Sequence, residues 1–325
     1  MLQLRYDPVK NKKVAVATKR QDRTFHPPKN YCPLCPTRNG KILTEIPKNS
    51  YDIVVFENKF PTFNRVPDKI NINEHFPYKI FNSKGICEVI CYTQEHYRYL
   101  EDQPLEKIEN LIRVWTDRYY SLGSKKYIKY VLIFENKGKE IGVTLSHPHG
   151  QIYAFPYIPP LIIEELNSSK KYYKKNNLCL HCKIIEEEVK KKSRVVIKNK
   201  NFISFIPFYA QWPYEVHIYP LRHMGSFCEL NESEVSSLAK ILKELINRYN
   251  LLFNFRMPYV MVIHQNPTDN KSYPYYHLHF EFYPPYRSKN KLKYLAGCEL
   301  GTGTFINDTL PEEKALELRK IKYTD

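Results

Sequence analysis

The sequence predicts an α+β fold made of two tandem, pseudo-symmetric units with mostly antiparallel sheets and packed helices. Two observations carry this prediction. An ordered series of signals occurs twice: a C-x-x-C pair, a strand, a lone histidine, an amphipathic helix, a strand, and an H-x-H row closed by glutamine or glutamate. Within each series the strands also follow one another through turns, so alternating β-α-β crossovers do not describe the order.

The first series opens with "CPLC" (32–35) and runs through strand-like "ICEVICYT" (86–93) to His96. In "PLEKIENLIRVWTDRYYSLG" the apolar residues Leu105, Ile108, Ile112, Trp115 and Tyr119 recur at helical spacing, and Gly123 ends the pattern. A strand at 126–134 and the "HPHGQ" strand follow. The second series opens with "CLHC" (179–182) and passes through strands at 193–197 and 214–220 to His223. Asn231 with Glu234 three residues on announces a helix whose apolar face is Val235, Leu238, Ile241 or Leu242, Leu245 and Tyr249. Strands at 258–264 and 277–282 complete the copy, and the tail ends in a short helix from about Pro311. Residues 1–155 thus form the first unit, 156–178 a connector, and 179–325 the second unit with its tail.

Composition narrows the function. With 42% hydrophobic residues the chain buries a full core, and no apolar run approaches the roughly 20 residues that span a bilayer. The N-terminus lacks the apolar segment of a signal peptide, so a cytoplasmic protein that keeps its eight cysteines reduced is expected, without membrane association. The formal charge of +16 admits nucleic acid, lysine-covered solvated faces such as "KKYYKK", or an anionic small substrate. No groove-reading motif accompanies the charge, which counts against nucleic acid.

In the first copy Cys32, Cys35, His96 and His147 form a Cys2His2 set suited to structural zinc. Residues two apart on a strand share a face, so His147, His149 and Gln151 project together. With His147 on a metal, His149 remains for chemistry. A neutral imidazole whose Nδ1–H is held by a backbone carbonyl presents Nε2 as a nucleophile near neutral pH. Gln151 can hydrogen-bond a phosphoryl oxygen but cannot act as an acid, which suits transfer between phosphates better than hydrolysis.

"HPHGQ" preceded by "FENKG" (134–138) resembles the galactose-1-phosphate uridylyltransferase family, a branch of the histidine-triad superfamily. The likeness extends from "RYDPVKNKKVAVATKRQDR" (5–23) through "CPLC", "ENKFP" (57–61) and "FYAQWPYE" (208–215) to "HFEFYPPYR" (279–287). It implies two histidine-triad-like units in a homodimer that moves UMP from UDP-glucose to galactose 1-phosphate through a uridylyl-histidine, with ping-pong kinetics. By the same resemblance His149 is the nucleophile, Gln151 the amide beside it, and Cys32, Cys35, His96 and His147 the zinc ligands. Arg20, Arg23 and Thr144 fall near the phosphates, Asn58 and Asn136 near the nucleotide, and Lys293 and Glu299 near the sugar, partly across the dimer interface. Asn307 lies in a tail that departs from the family pattern.

The second copy offers two ligand sets. Internal symmetry assigns Cys179, Cys182, His223 and His277 to zinc. The resemblance assigns Glu188, His264 and His279 to a second zinc or an iron, with Glu281 where the family's last histidine is usual. His277 and His279 share a face, so the sets are expected to compete, and the thiolates favour the symmetric one. Two alternatives stand beside the main reading. One is a related transferase or phosphorylase using ADP-glucose or a dinucleoside polyphosphate; the other is a nucleic-acid-binding histidine-triad protein.

Overall fold

The computed structural model of the chain describes residues 1–22, 27–28, 31–38, 43–70, 72 and 74–323. In chain order the strands of the first half are β1 (Leu2–Asp7), β2 (Lys12–Ala17), β3 (Val54–Glu57), β4 (Ile80–Asn82), β5 (Ile86–Cys91), β6 (Tyr130–Lys137) and β7 (His149–Phe155). The second half contributes β8 (Val195–Lys198), β9 (Phe202–Phe205), β10 (Val216–Pro220), β11 (Tyr259–His264), β12 (His279–Tyr283), β13 (Tyr286–Ser288) and β14 (Lys291–Leu292). The helices are α1 (Leu105–Gly123), α2 (Pro160–Asn176), α3 (Leu180–Lys191), α4 (Glu232–Phe253), α5 (Gly297–Thr302) and α6 (Pro311–Lys320).

Nine strands form one sheet in the order β3-β5-β7-β6-β11-β12-β10-β9-β8, every pair antiparallel. The order β5-β7-β6 of the first unit is mirrored as β11-β12-β10 in the second. The units therefore join edge to edge through β6 and β11, where Phe134 faces Val262. Strands β2-β1-β4 make a small separate sheet that the sequence pattern did not reveal.

One face of the main sheet carries the core. On α1 the stripe Ile108, Ile112, Trp115 and Tyr119 is buried with Leu111 and Leu122. On α4, Val235, Leu238, Ile241, Leu242, Leu245 and Tyr249 are buried likewise, and both helices pack on the same cluster of strand residues. The α4 cap forms as its residues dictate. The Asn231 side chain accepts from the Glu234 N–H at 3.0 Å, while Glu234 accepts from the Asn231 N–H at 2.9 Å. Such a cap is worth about 1 kcal/mol.

The opposite face differs between the copies. Along β7, Gly150, Ile152 and Ala154 point into the core, while His149, Gln151 and Tyr153 are only partly covered. Along β12, His279, Phe280, Glu281 and Phe282 are all buried. The cover comes from the 156–178 segment: α2 lodges Ile162 and Leu166 against Tyr130, Tyr273, Tyr275 and Tyr276. The same row of positions is thus open in the first unit and sealed in the second.

Across the joint, Glu101 is buried and takes Lys137 Nζ at 2.7 Å from its own unit. From the other unit it takes Asn250 Nδ2 at 2.8 Å and Arg256 Nη1 at 2.9 Å. Burial opposes its charge, but Lys137 and these donors outweigh burial and lower its pKa. Among the described residues no helix is long and apolar enough to cross a membrane.

Candidate active site and metal centres

His149 stands at the first residue of β7, opposite Cys91 of β5. Its Nδ1 lies 2.7 Å from the carbonyl oxygen of His147, which assigns the proton to Nδ1 and leaves the Nε2 lone pair directed away from the backbone. Close packing beneath the strand fixes this geometry. A Cβ on Gly150 would lie 2.3 Å from the Tyr92 hydroxyl, so only glycine lets the strand settle there.

Two cavities meet at His149. The larger, about 1050 Å³, is lined by Asn136, Thr144, Ser146 and His147 among others. The smaller, about 160 Å³, is lined by Arg20, Phe56, Asn58, Val89, Thr144 and Gln151. The amide of Asn58 reaches Gln151 Oε1 at 3.5 Å. Arg20, which borders this cavity, is held through Nη1 by the Tyr153 hydroxyl at 3.1 Å. Thr144 Oγ1 is buried and finds no hydrogen-bond partner among the described residues, although it borders both cavities. Arg23 lies outside the described residues. Lys293 and Glu299 pair with each other at 3.5 Å and line neither cavity, while Asn307 donates to the Ala210 carbonyl at 2.9 Å.

The expected zinc ligands converge. Cys32, Cys35, His96 and His147 place their ligand atoms within 4.8 Å of one another. Cys35 Sγ lies 3.4 Å from His96 Nδ1 and 3.5 Å from His147 Nδ1. Those separations match the edge of a tetrahedron with bonds of about 2.0–2.3 Å, so the residues fit zinc. The Cys32 thiol is pulled down to about 3, first by its hydrogen bond with Cys35 and then, against burial, by His147. Sequence reasoning missed the groups that orient these ligands. His147 Nε2 meets the Thr93 carbonyl at 2.8 Å and the Tyr51 hydroxyl at 3.0 Å, and His96 Nε2 meets Ser146 Oγ at 2.8 Å.

The second unit holds two further groups, and here the structure corrects two expectations. Cys179, Cys182, His223 and His277 converge within 4.8 Å, with Cys182 Sγ 3.3 Å from His223 Nδ1 and 3.5 Å from His277 Nδ1. A separate group joins Glu165, His264, His279 and Glu281. The two sets do not compete. His277 turns Nδ1 to the cysteines, whereas His279 spends Nδ1 on the His277 carbonyl at 2.9 Å and sends Nε2 toward the carboxylates.

Glu188 is the second correction. Its carboxylate is buried against Arg194 at 2.6 Å, and Glu165 of α2 joins His264, His279 and Glu281 in its place. Glu165 Oε1 lies 3.1 Å from His264 Nδ1, and its Oε2 accepts the Tyr276 hydroxyl. Burial disfavours charge on His264, yet Glu165 and Glu281 outweigh it and raise its pKa to about 9. Two buried carboxylates facing two imidazoles call for compensating positive charge, which a protonated His264 or a divalent ion held by the four residues would supply. Oxygen and nitrogen donors without thiolate suit zinc, iron or manganese.

Comparison with known proteins decides the family. The family model "Galactose-1-phosphate uridyl transferase, N-terminal domain" matches residues 3–159, and its C-terminal counterpart matches residues 165–324. The chain belongs to the galactose-1-phosphate uridylyltransferase family. A relative of that name from Thermotoga maritima is 40% identical over 323 residues, covering 99% of both chains. Another from Streptomyces lividans is 34% identical, covering 98% of this chain and 87% of the relative. Among solved structures, a uridylyltransferase superposes with a TM-score of 0.87 at 37% identity, covering 98% of this chain and 97% of that one. An ADP-glucose phosphorylase from Arabidopsis thaliana, solved with ADP-glucose, gives 0.76 at 25% identity over the full length of both chains. Family membership makes the chain a nucleotidyltransferase with a mixed α/β fold of antiparallel strands.

Proposed function

We propose that the protein transfers UMP from UDP-glucose to galactose 1-phosphate in two displacements, with His149 carrying the uridylyl group between them. The observation that carries this reading is the 2.7 Å bond from His149 Nδ1 to the His147 carbonyl, at the meeting point of both cavities. In the first step Nε2 attacks the α-phosphorus, the P–O bond to the glucose 1-phosphate breaks, and a phosphoramidate forms. Galactose 1-phosphate then attacks the same phosphorus and returns the electron pair to Nε2. Gln151, Thr144 and Arg20 stand where negative charge develops and stabilise it by hydrogen bonding and charge. The neutral Gln151 has no proton to deliver to water or to a leaving group, which favours transfer over hydrolysis.

Zinc at Cys32, Cys35, His96 and His147 would supply a closed, rigid coordination shell. The four residues then fasten the N-terminal knuckle to the segment whose carbonyl orients His149. A second zinc at the Cys179 group and a divalent ion at the Glu165 group give the second unit structural roles. Residues 1–155 serve as the catalytic unit, 156–178 as connector and cover, and 179–325 as the second unit. Exposed Tyr294, Leu300, Ile306 and Leu310 beside Lys293 and Glu299 support a homodimer in which that tail meets a partner's site. Eight free cysteines accord with a cytoplasmic setting.

The test is incubation with UDP-glucose, ADP-glucose and ATP, each labelled in the α-phosphate. Label on His149 from UDP-glucose, discharged by galactose 1-phosphate, supports the reading. Label only from the adenine nucleotides, discharged by inorganic phosphate, replaces it with a phosphorylase.

A further inference from the structure

One difference between the copies is not explained by the phosphate chemistry. In the first unit Val89 of β5 lies opposite Gln151 of β7. At the corresponding place in the second unit, His217 of β10 lies opposite Glu281 of β12. Directly opposed residues of an antiparallel pair share a face, with Cβ atoms about 4.5–5.5 Å apart. The amide has thus become a carboxylate, and the aliphatic neighbour an imidazole.

His217 is 3% exposed, too deep for an unassigned surface histidine. Its Nε2 lies 2.9 Å from Glu215 Oε1 and 3.5 Å from Glu281 Oε1. Glu215 is itself fixed, because its Oε2 accepts the backbone N–H groups of Gln211 at 2.6 Å and Trp212 at 3.0 Å. Glu281 is approached on its other oxygen by the Tyr283 hydroxyl, which donates to Oε2. His217 also lies beside the ligand His279, with ring centroids 6.2 Å apart and planes 27° from parallel.

We propose that His217 is the positioning residue of the Glu165–His264–His279–Glu281 metal centre, anchored by the hydrogen bond of Nε2 to Glu215 so that its ring edge, 3.5 Å from Glu281 Oε1, keeps that carboxylate in ligating orientation. This rests on the reading that those four residues bind a divalent ion. A histidine ligand is oriented through its second ring nitrogen, as His279 is by the His277 carbonyl. A glutamate lacks that handle, so its terminal torsion must be set by donors from outside. The Tyr283 hydroxyl donates to Oε2, and the polar edge of His217, held by Glu215, faces Oε1 at 3.5 Å. A carboxylate on β12 therefore goes with an imidazole on β10, where the first unit has Gln151 with Val89.

The experiment measures metals per chain and the rate of their release to a chelator for the purified full-length protein. The parent is compared with Glu165→Gln, His217→Leu, His217→Gln and the double change His217→Leu with Glu281→His. The parent should hold one ion that Glu165→Gln loses. His217→Leu should release that ion about 10–100-fold faster while both cysteine-bound zincs stay. His217→Gln keeps an N–H donor and should release it at near the parental rate, and the double variant should regain retention because histidine needs no donor from β10. If His217→Leu does not fold, His217→Gln and the double variant still decide: fast release from both overturns the inference. Release from His217→Leu at the parental rate overturns it as well. A parent whose metal content Glu165→Gln leaves unchanged overturns the underlying metal reading, and the inference with it.

Discussion

His149 and His147 are bound to one another through backbone and ring: Nδ1 of the first lies 2.7 Å from the carbonyl oxygen of the second. His147 in turn faces Cys35 through its own Nδ1. The proposed nucleophile is therefore oriented by the residue that would carry the metal. His149→Ala should abolish nucleotidyl labelling with the fold intact, lowering the rate on the order of 10⁴-fold. His149→Gly should regain activity with an imidazole–UMP donor. Intersecting rather than parallel lines in initial-rate plots would exclude the covalent route.

Gln151→His tests the neutral amide. An imidazole there can protonate a leaving oxygen or accept a proton from water. The expected outcome is slower transfer with a larger share of free UMP, read by product analysis. Transfer at the parental rate without added UMP would show that Gln151 has another role.

Gly150→Ala should displace the nucleophile. Its methyl group would fall on the Tyr92 hydroxyl and close to Ile90 and the Phe134 carbonyl. Overpacking of this kind costs about 1–3 kcal/mol, and the misplaced His149 should lower kcat more than it raises KM. Adding Tyr92→Phe removes the nearest atom and should restore part of both, as seen in melting temperature and labelling rate.

The metal assignments separate by substitution. Glu188→Gln should keep every metal, since Glu188 serves Arg194. Cys179→Ser should lose one zinc. Elemental analysis of the two proteins checks both, and a metal lost from Glu188→Gln would restore the ligand role that the structure denies it.

Acid stability should depend on Glu101. Its folded pKa lies below its ordinary 4.5, so its stabilising contribution is complete above 4.5 and drains away as pH falls through the lowered value. Glu101→Gln leaves Lys137 buried without its carboxylate and should cost about 3–5 kcal/mol near neutrality. The gap in melting temperature between parent and variant should hold from pH 7 to 5 and narrow below 4.5. A gap independent of pH would assign the effect to packing.

Much of the site was legible because its signals are short in sequence. C-x-x-C and H-x-H fix ligands through local geometry, and the repetition of the whole series disclosed both units. What escaped is held by through-space relations. Glu165 lies on a helix in the segment read as a connector, and nothing near it marks a ligand. His217 gains meaning only from the strand opposite, and Tyr51 only from folding onto His147. Family resemblance alone assigns Glu188 to a metal, whereas α3 turns it toward Arg194. Strand ends shifted by up to four residues, as at Tyr130–Lys137 against the expected 126–134, because pairing rather than composition sets the limits.

The pairing of β6 with β11 also governs what the chain can become. Severed within the connector, each half would carry a bare edge strand in the middle of an apolar surface, its amides and carbonyls arrayed for any matching backbone. Such a fragment would close its ladder on a second copy of itself or on another polypeptide. Because both units lie in one chain that seam is internal, so the first unit keeps its face open while the second holds the other half of the sheet in place.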